Sequence, residues 1–219
     1  MKDYKFKHLG QNLFLHPHRA VFWEEQELLL IADLHLGKAS HFRKSGIPVP
    51  ELVHNDDFDR METLLLHYQP QKVVFLGDLF HSGYNKSWQR FTRFVRSQKD
   101  IDFVLIVGNH DIMDMEQYTG MMVVDKMRIA PYLLTHKPMS PGKHAQFYNI
   151  SGHVHPAIKI RAHARQSFRV PCFYFSKDYC ILPAFGNFTG TGQLTDVRNS
   201  DEIFIVADHE VLPLNGFVH

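Results

Sequence analysis

Asp33-Leu34-His35, Gly77-Asp78, Gly108-Asn109-His110-Asp111, Thr135-His136 and Gly152-His153-Val154-His155 follow one another along the chain, each after a short apolar run. That series constrains the fold more than any other feature. Buried strands that break into polar loops at one end place those loops along one sheet edge, so residues remote in sequence can meet there. Imidazole nitrogens, carboxylate oxygens and an amide oxygen suit Mn²⁺, Fe or Zn²⁺ better than an all-oxygen Ca²⁺ cage or a thiolate site. Two such ions about 3.5–4 Å apart clamp an in-line displacement at phosphorus, which needs a bridging carboxylate. Asp78 is the central candidate, with Gly77 permitting close backbone approach.

The runs between these clusters divide the chain into two styles. Residues 12–15, 20–23 and 28–32 read as successive strands, the third delivering Asp33. Pro48 and Pro50 precede a helical stretch over 51–68 that Pro70 stops. Residues 72–76 and 101–107 read as buried strands ending at Asp78 and Asn109, with a helix over 86–98 between them. Trp88, Phe91 and Val95 lie at helical spacing and read as core. After His110 the pattern predicts strands over 121–126, 128–135, 147–151, 157–161 and 179–183. A final hairpin pairs 202–207 with 211–214 around Asp208-His209. An alternating βα half and a β-rich half predict an α/β fold of two sheets face to face, with helices outside.

Composition sets limits. The 219 residues suffice for one compact domain, 1–219, and are few for two. The 44% hydrophobic content excludes global disorder, and no run approaches the roughly 20 apolar residues of a membrane span. Met1-Lys2-Asp3-Tyr4-Lys5 is not followed by an apolar segment, so the reading is cytoplasmic, with no membrane association. Cys172 and Cys180 read as reduced structural thiols able to pair under oxidation. A formal net charge of +1 does not announce a nucleic-acid binder. Of 16 histidines, His16, His18, His144, His209 and His219 read as surface or loop residues.

At the five clusters the sequence resembles the calcineurin-like metallophosphoesterase superfamily. Ala32-Asp33-Leu34-His35-Leu36-Gly37-Lys38 and Phe42-Arg43-Lys44-Ser45-Gly46-Ile47-Pro48-Val49-Pro50 narrow the likeness. With Leu76-Gly77-Asp78-Leu79-Phe80-His81-Ser82 and Leu182-Pro183-Ala184-Phe185-Gly186, they resemble the bacterial ligase-associated DNA damage response endonuclease family. The resemblance implies a four-layer α-β-β-α sandwich with two facing mixed sheets. It places Asp33, His35 and His155 on a first metal, Asn109, His136 and His153 on a second, and Asp78 between them. The metals implied are two divalent ions, Mn²⁺ first, with Fe or Zn²⁺ as alternatives. His110 corresponds to a non-ligand histidine that contacts phosphoryl oxygens or protonates the leaving group, while Asp111 fixes its loop. Many members of the wider superfamily carry Asp where His81 stands; a histidine supplies no fixed negative charge to hold His110 protonated. The narrower family shares this histidine.

Three further segments offer alternatives. Residues 37–50, with Lys38, His41, Arg43 and Lys44, read as a grip for substrate phosphates, a mobile lid or a solvated loop. Asp56, Asp57 and Asp59 read as a solvated helix face, and residues 186–192 as a flexible turn near the site mouth. The expected activity is hydrolysis of a phosphoester by hydroxide held between the metals. The substrate is DNA by the subfamily resemblance, or a small nucleotide-like ester, with a non-catalytic metal-binding scaffold as a third reading. Family resemblance also implies DNA-repair ligase or helicase partners.

Overall fold

A computed structural model describes residues 1–38, 53–80, 86–112, 117–139, 146–161, 167–187, 189–194 and 197–214. The first sheet runs in chain order: β1 (Tyr4–His8), β2 (Gln11–His16), β3 (Ala20–Trp23), β4 (Leu28–Ile31), β5 (Lys72–Leu76), β6 (Asp102–Ile106) and β7 (Met122–Val124). Pairing is antiparallel from β1 to β4 and parallel from β4 to β7. Helices α1 (Val53–Tyr68) and α2 (Lys86–Ser97) lie between β4 and β5 and between β5 and β6. β4, β5 and β6 are almost unbroken apolar runs because both faces of this parallel region are covered.

Side-chain alternation sorts the core. Leu13, Leu15, Val21, Trp23, Leu28 and Leu30 point toward the second sheet, whereas Phe22, Leu29 and Ile31 point toward the helices. Trp88, Phe91 and Val95 of α2 pack in that helix-side core with Phe75 and Phe80, as their spacing predicts. α1 ends where Gln69 turns left-handed (φ 46°) and donates its N–H to Leu65 O, just before Pro70.

The second sheet contains β8 (Met127–Ile129), β9 (Tyr132–Leu134), β10 (Tyr148–Ser151), β11 (Pro156–Arg161), β12 (Ser167–Phe175), β13 (Tyr179–Ile181), β14 (Gly192–Gln193), β15 (Glu202–Val206) and β16 (Val211–Pro213). Its order is β14-β11-β12-β13-β10-β9-β8, with β15 joining β12 to β16. Parallel and antiparallel pairings both occur, so two mixed sheets face each other across an inter-sheet core, as expected. Both α-helices of the described residues cover the outer face of the first sheet. The outer face of the second is covered, among the described residues, by Leu194, Val197 and Leu214 over Cys172, Tyr174, Ile181 and Ile203.

Several expectations change. The single strand over 128–135 is two antiparallel strands, β8 and β9, turning at Ala130-Pro131, where proline lacks the N–H a continuous ladder needs. β1 and β12 have no counterpart among the expected strands. β12 contains Pro171, a residue that speaks against a strand, and its first three residues are exposed. Asp57 is not on a solvated face: it is 7% exposed and ion-paired to Arg60, which also donates to Phe185 O and stacks on the Phe185 ring. Nor is His16 a surface residue. It ends β2 at 3% exposure, against the rings of His18, His67 and Tyr68. His209 is exposed; His144 and His219 lie outside the described residues. Cys172 faces the outer cluster and Cys180 the inter-sheet core, so the sheet separates them. Burial pushes the Cys172 thiol up to about 12 and the Cys180 thiol well above its ordinary value.

Candidate metal centre

The loops after β4, β5, β6, β9 and β10 converge at one end of the sandwich. Backbone hydrogen bonds clamp them: His35 N–H to Asp78 O (2.9 Å), Gly152 N–H to His136 O (3.0 Å) and Phe185 N–H to Ala32 O (2.8 Å). Glycines that open these clusters sit against site residues. A Cβ on Gly108 would lie 2.3 Å from Asp78 Oδ1, and one on Gly152 would lie 2.4 Å from Asp33 Oδ2. Only glycine admits that approach. Of the nine non-glycine residues with positive φ among the described residues, five are Asp33, His35, Asp78, His153 and His155. Left-handed backbone is costly for such residues and persists where the surroundings over-determine it, typically at functional sites.

The side chains form two groups. Donor atoms of Asp33, His35 and His155 lie within 4.8 Å of one another, and so do those of Asp78, His136 and His153. Asp78 faces both: its Oδ2 is 3.6 Å from His35 Nε2 and its Oδ1 is 3.5 Å from His136 Nε2. Asn109 Oδ1 lies 3.0 Å from His136 Nε2, and His153 Nδ1 lies 3.1 Å from it. Asp33, His35 and His155 thus form one group, and Asp78 and Asn109 stand beside His136 and His153 in the other.

Tautomers follow from the outer hydrogen bonds. His136 Nδ1–H donates to Leu76 O (2.9 Å), which leaves its Nε2 lone pair facing Asn109 Oδ1. His155 Nδ1–H donates to Gly190 O (3.1 Å), which leaves its Nε2 lone pair facing Asp33 Oδ1 at 3.4 Å. That nitrogen and that oxygen are both buried without a hydrogen bond. Acceptors aimed at one another in a buried place are satisfied by a cation, and a carbonyl behind each imidazole is the arrangement metal ligation uses. Burial holds the His153 imidazole below its usual range, reinforced by His136 and Lys137, so the neutral, ligating form is favoured. The residues fit two divalent ions.

Beside the groups stand His110, Asp111 and Lys38. The His110 main-chain N–H donates to Asp78 Oδ1 (2.9 Å). Its half-exposed ring is 5.3 Å from that of His35, and its Nε2 is 4.0 Å from Asp78 Oδ2. Asp111 is buried and accepts N–H bonds from Leu79 (3.0 Å), Phe80 (3.3 Å) and Gly108 (2.9 Å), tying the Asp78 loop to the Asn109 loop. Burial raises its carboxyl while those bonds oppose the rise. Lys38 is half-buried, and burial lowers its ammonium against the pull of Asp78 and Asp33. His81, Arg43 and Lys44 lie outside the described residues.

Where described, the turn over residues 186–192 is tied to the site by main-chain bonds. Gly186 N–H donates to Asp33 O, Gly192 N–H donates to His155 O, and Gly192–Gln193 pairs with β11. Sequence reasoning also missed Lys137, whose only signal is its position beside His136. A cleft of about 360 Å³ runs from Asn109 and His136 past Lys137 to Asp125 and Lys126.

No helix among the described residues is long and apolar enough to cross a membrane. Among solved structures the chain is similar to Pseudomonas putida nuclease MPE. The two are 26% identical over 97% of this chain and 100% of that one, with a TM-score of 0.79. Yfce, a phosphoesterase from E. coli, is 11% identical over 83% of this chain and 88% of its own, with a TM-score of 0.38. No curated protein matches the chain. The family model described as calcineurin-like phosphoesterase matches residues 27–155, from before Asp33 to His155 itself. A match over more than half the chain that takes in both donor groups means that this chain belongs to the calcineurin-like phosphoesterase family.

Proposed function

We propose that the chain is a two-metal phosphodiesterase that cuts DNA. The observation that carries this reading is Asp78, whose two carboxylate oxygens each face a separate cluster of imidazole and carboxylate donors. In this reading Asp33, His35 and His155 hold one ion, Asn109, His136 and His153 the other, and Asp78 both. The mixed nitrogen and oxygen donors, without thiolate, suit Mn²⁺, with Fe and Zn²⁺ next. When bound, such a pair supplies Lewis acidity at the phosphoryl oxygens and a nucleophile at neutral pH.

The chain's own residues do the rest. His110 stands beside Asp78 without belonging to either donor group, and its half-exposed ring can donate a proton or hydrogen bond to the leaving oxygen. Asp111 positions that loop through three backbone N–H bonds. Lys38, in the field of Asp33 and Asp78, contacts a substrate phosphate, and Arg43 and Lys44, which follow it in sequence, are assigned the same role. In sequence, His81 stands where many members of the wider superfamily carry an acidic residue. Likeness along the full length of a nuclease supports DNA as substrate. The net charge of +1 favours the second reading, a small nucleotide-like ester.

The Mn²⁺-loaded protein should therefore be assayed on a chromogenic phosphodiester, a chromogenic phosphomonoester, a small cyclic nucleotide, and linear, nicked and single-stranded DNA. Cleavage of the diester and of DNA is expected. Turnover confined to the monoester or to the small nucleotide would overturn the proposal.

A further inference from the structure

We propose that a polynucleotide strand crosses the site along the rim of the second sheet, gripped by Lys126 and Lys137 at one end and by Lys159 and Arg169 at the other. This rests on the phosphodiesterase reading above and adds where the chain lies on either side of the scissile bond. β8 and β11 stand near opposite ends of the second sheet, separated by β9, β10, β13 and β12. His136 follows β9, His153 follows β10, and His155 immediately precedes β11. The imidazoles therefore lie along a rim, from β9 to the start of β11, that carries two cations near each end.

At the β8 end, Lys126 and Lys137 are exposed and share the cleft that opens from Asn109 and His136, with Asp125 as its one carboxylate among the described lining residues. At the β11 end, the antiparallel register sets Lys159 directly opposite Arg169. Like charges across a ladder weaken it, and among the described residues neither cation is in an ion pair. Arg169 alternates in step with Phe173 and Phe175, which pack between the sheets, so the basic face of this hairpin continues the inner face and overhangs the cleft end. Arg169 also donates to Thr191 O (3.3 Å), next to the Gly190 carbonyl that orients His155. A hairpin kept despite that repulsion, and tied to a metal-facing histidine, is explained by a polyanion that neutralises it. A monoester has a chain on one side only and would leave one pair of cations unused.

The geometry also fixes a length. Five strand-to-strand steps of roughly 4.8 Å make a rim of about 24 Å between β11 and β8. At about 3.4 Å per phosphate of a stacked strand, that is roughly seven nucleotides, fewer if the strand is extended.

The experiment uses the full chain with Mn²⁺ and compares cleavage of oligonucleotides of increasing length with cleavage of a small chromogenic diester. The variants are K159E/R169E, the neutral K159Q/R169Q, in which the like-charge pair is gone and the fold is favoured, and K126E. In each, the ratio of oligonucleotide to small-diester rate should fall about tenfold. The salt slope of oligonucleotide binding should flatten by roughly 0.7 for each phosphate that is no longer neutralised. For the unmodified protein the rate should stop rising with length by roughly seven nucleotides. Wild-type ratios and salt slopes in the hairpin variants would overturn the track while leaving the diesterase reading intact. An unmodified protein that cuts the small diester and no oligonucleotide of any length would overturn the DNA reading and the track together.

Discussion

The two sheets contribute different chemistry to the same place. Loops of the first sheet bring Asp33, His35, Asp78 and Asn109, mostly oxygen donors, whereas loops of the second bring only imidazoles: His136, His153 and His155. Each donor group takes members from both sheets, since His155 joins Asp33 and His35, and Asp78 joins His136 and His153. Neither sheet alone supplies a complete donor group. The site exists only once Leu30, Val74 and Ile106 have packed against Leu134, Ile150 and Leu182, so metal affinity and inter-sheet packing are coupled.

The sharpest way to break this division is at its centre. Asp78→Asn removes a carboxylate whose two oxygens face the two groups, so both ions should be lost and turnover should fall to background; elemental analysis reads the metal and a diester assay the rate. His155→Ala, by contrast, should strip mainly the group containing Asp33. A smaller effect comes from the first sheet's own exception, His110, an imidazole that belongs to neither donor group. His110→Ala should keep both ions and lose about 10²–10⁴-fold in rate, the usual worth of a positioned acid. The loss should be larger for a sugar hydroxyl leaving group than for nitrophenolate.

The smallest effect concerns imidazoles that never reach the site. Burial holds His16 at about 3 in the folded chain, with His18 and His67 pushing the same way and Asp3 opposing, against an ordinary 6.5. The unfolded chain therefore binds a proton that the folded chain refuses, and stability is intact above 6.5 and lost as pH falls toward 3. The slope is about 1.4 kcal/mol per pH unit at most. His16→Gln, which keeps an acceptor for the His18 N–H, should flatten urea midpoints over that range in the presence of chelator. An unchanged slope would place the acid sensitivity elsewhere.

What could be read from residues alone follows the same division. β4, β5 and β6 were legible because continuous apolar runs ending in Asp or Asn have few other meanings, and their clusters located most of the centre. The second sheet was harder. β12 hides behind Pro171 and an exposed first half, and in the first sheet β1 alternates half-buried aromatics with lysines. The Arg60 bridge from Asp57 to Phe185 O joins residues far apart in sequence, an interaction without local pattern. Leu76 O and Gly190 O set the tautomers of His136 and His155, yet a main-chain carbonyl leaves no mark on the residue type that carries it.

The left-handed backbone at Asp33, His35, Asp78, His153 and His155 sets a trade-off between durability and activity. Each such residue holds a conformation costing about 1–3 kcal/mol, so the chain is least at ease where it is most useful. Replacing His153 with glycine or asparagine removes a metal-facing group and relaxes the backbone together, so with both proteins stripped of metal the inactive one should melt at a higher temperature than the active one. Selection for heat resistance alone would erode this centre first.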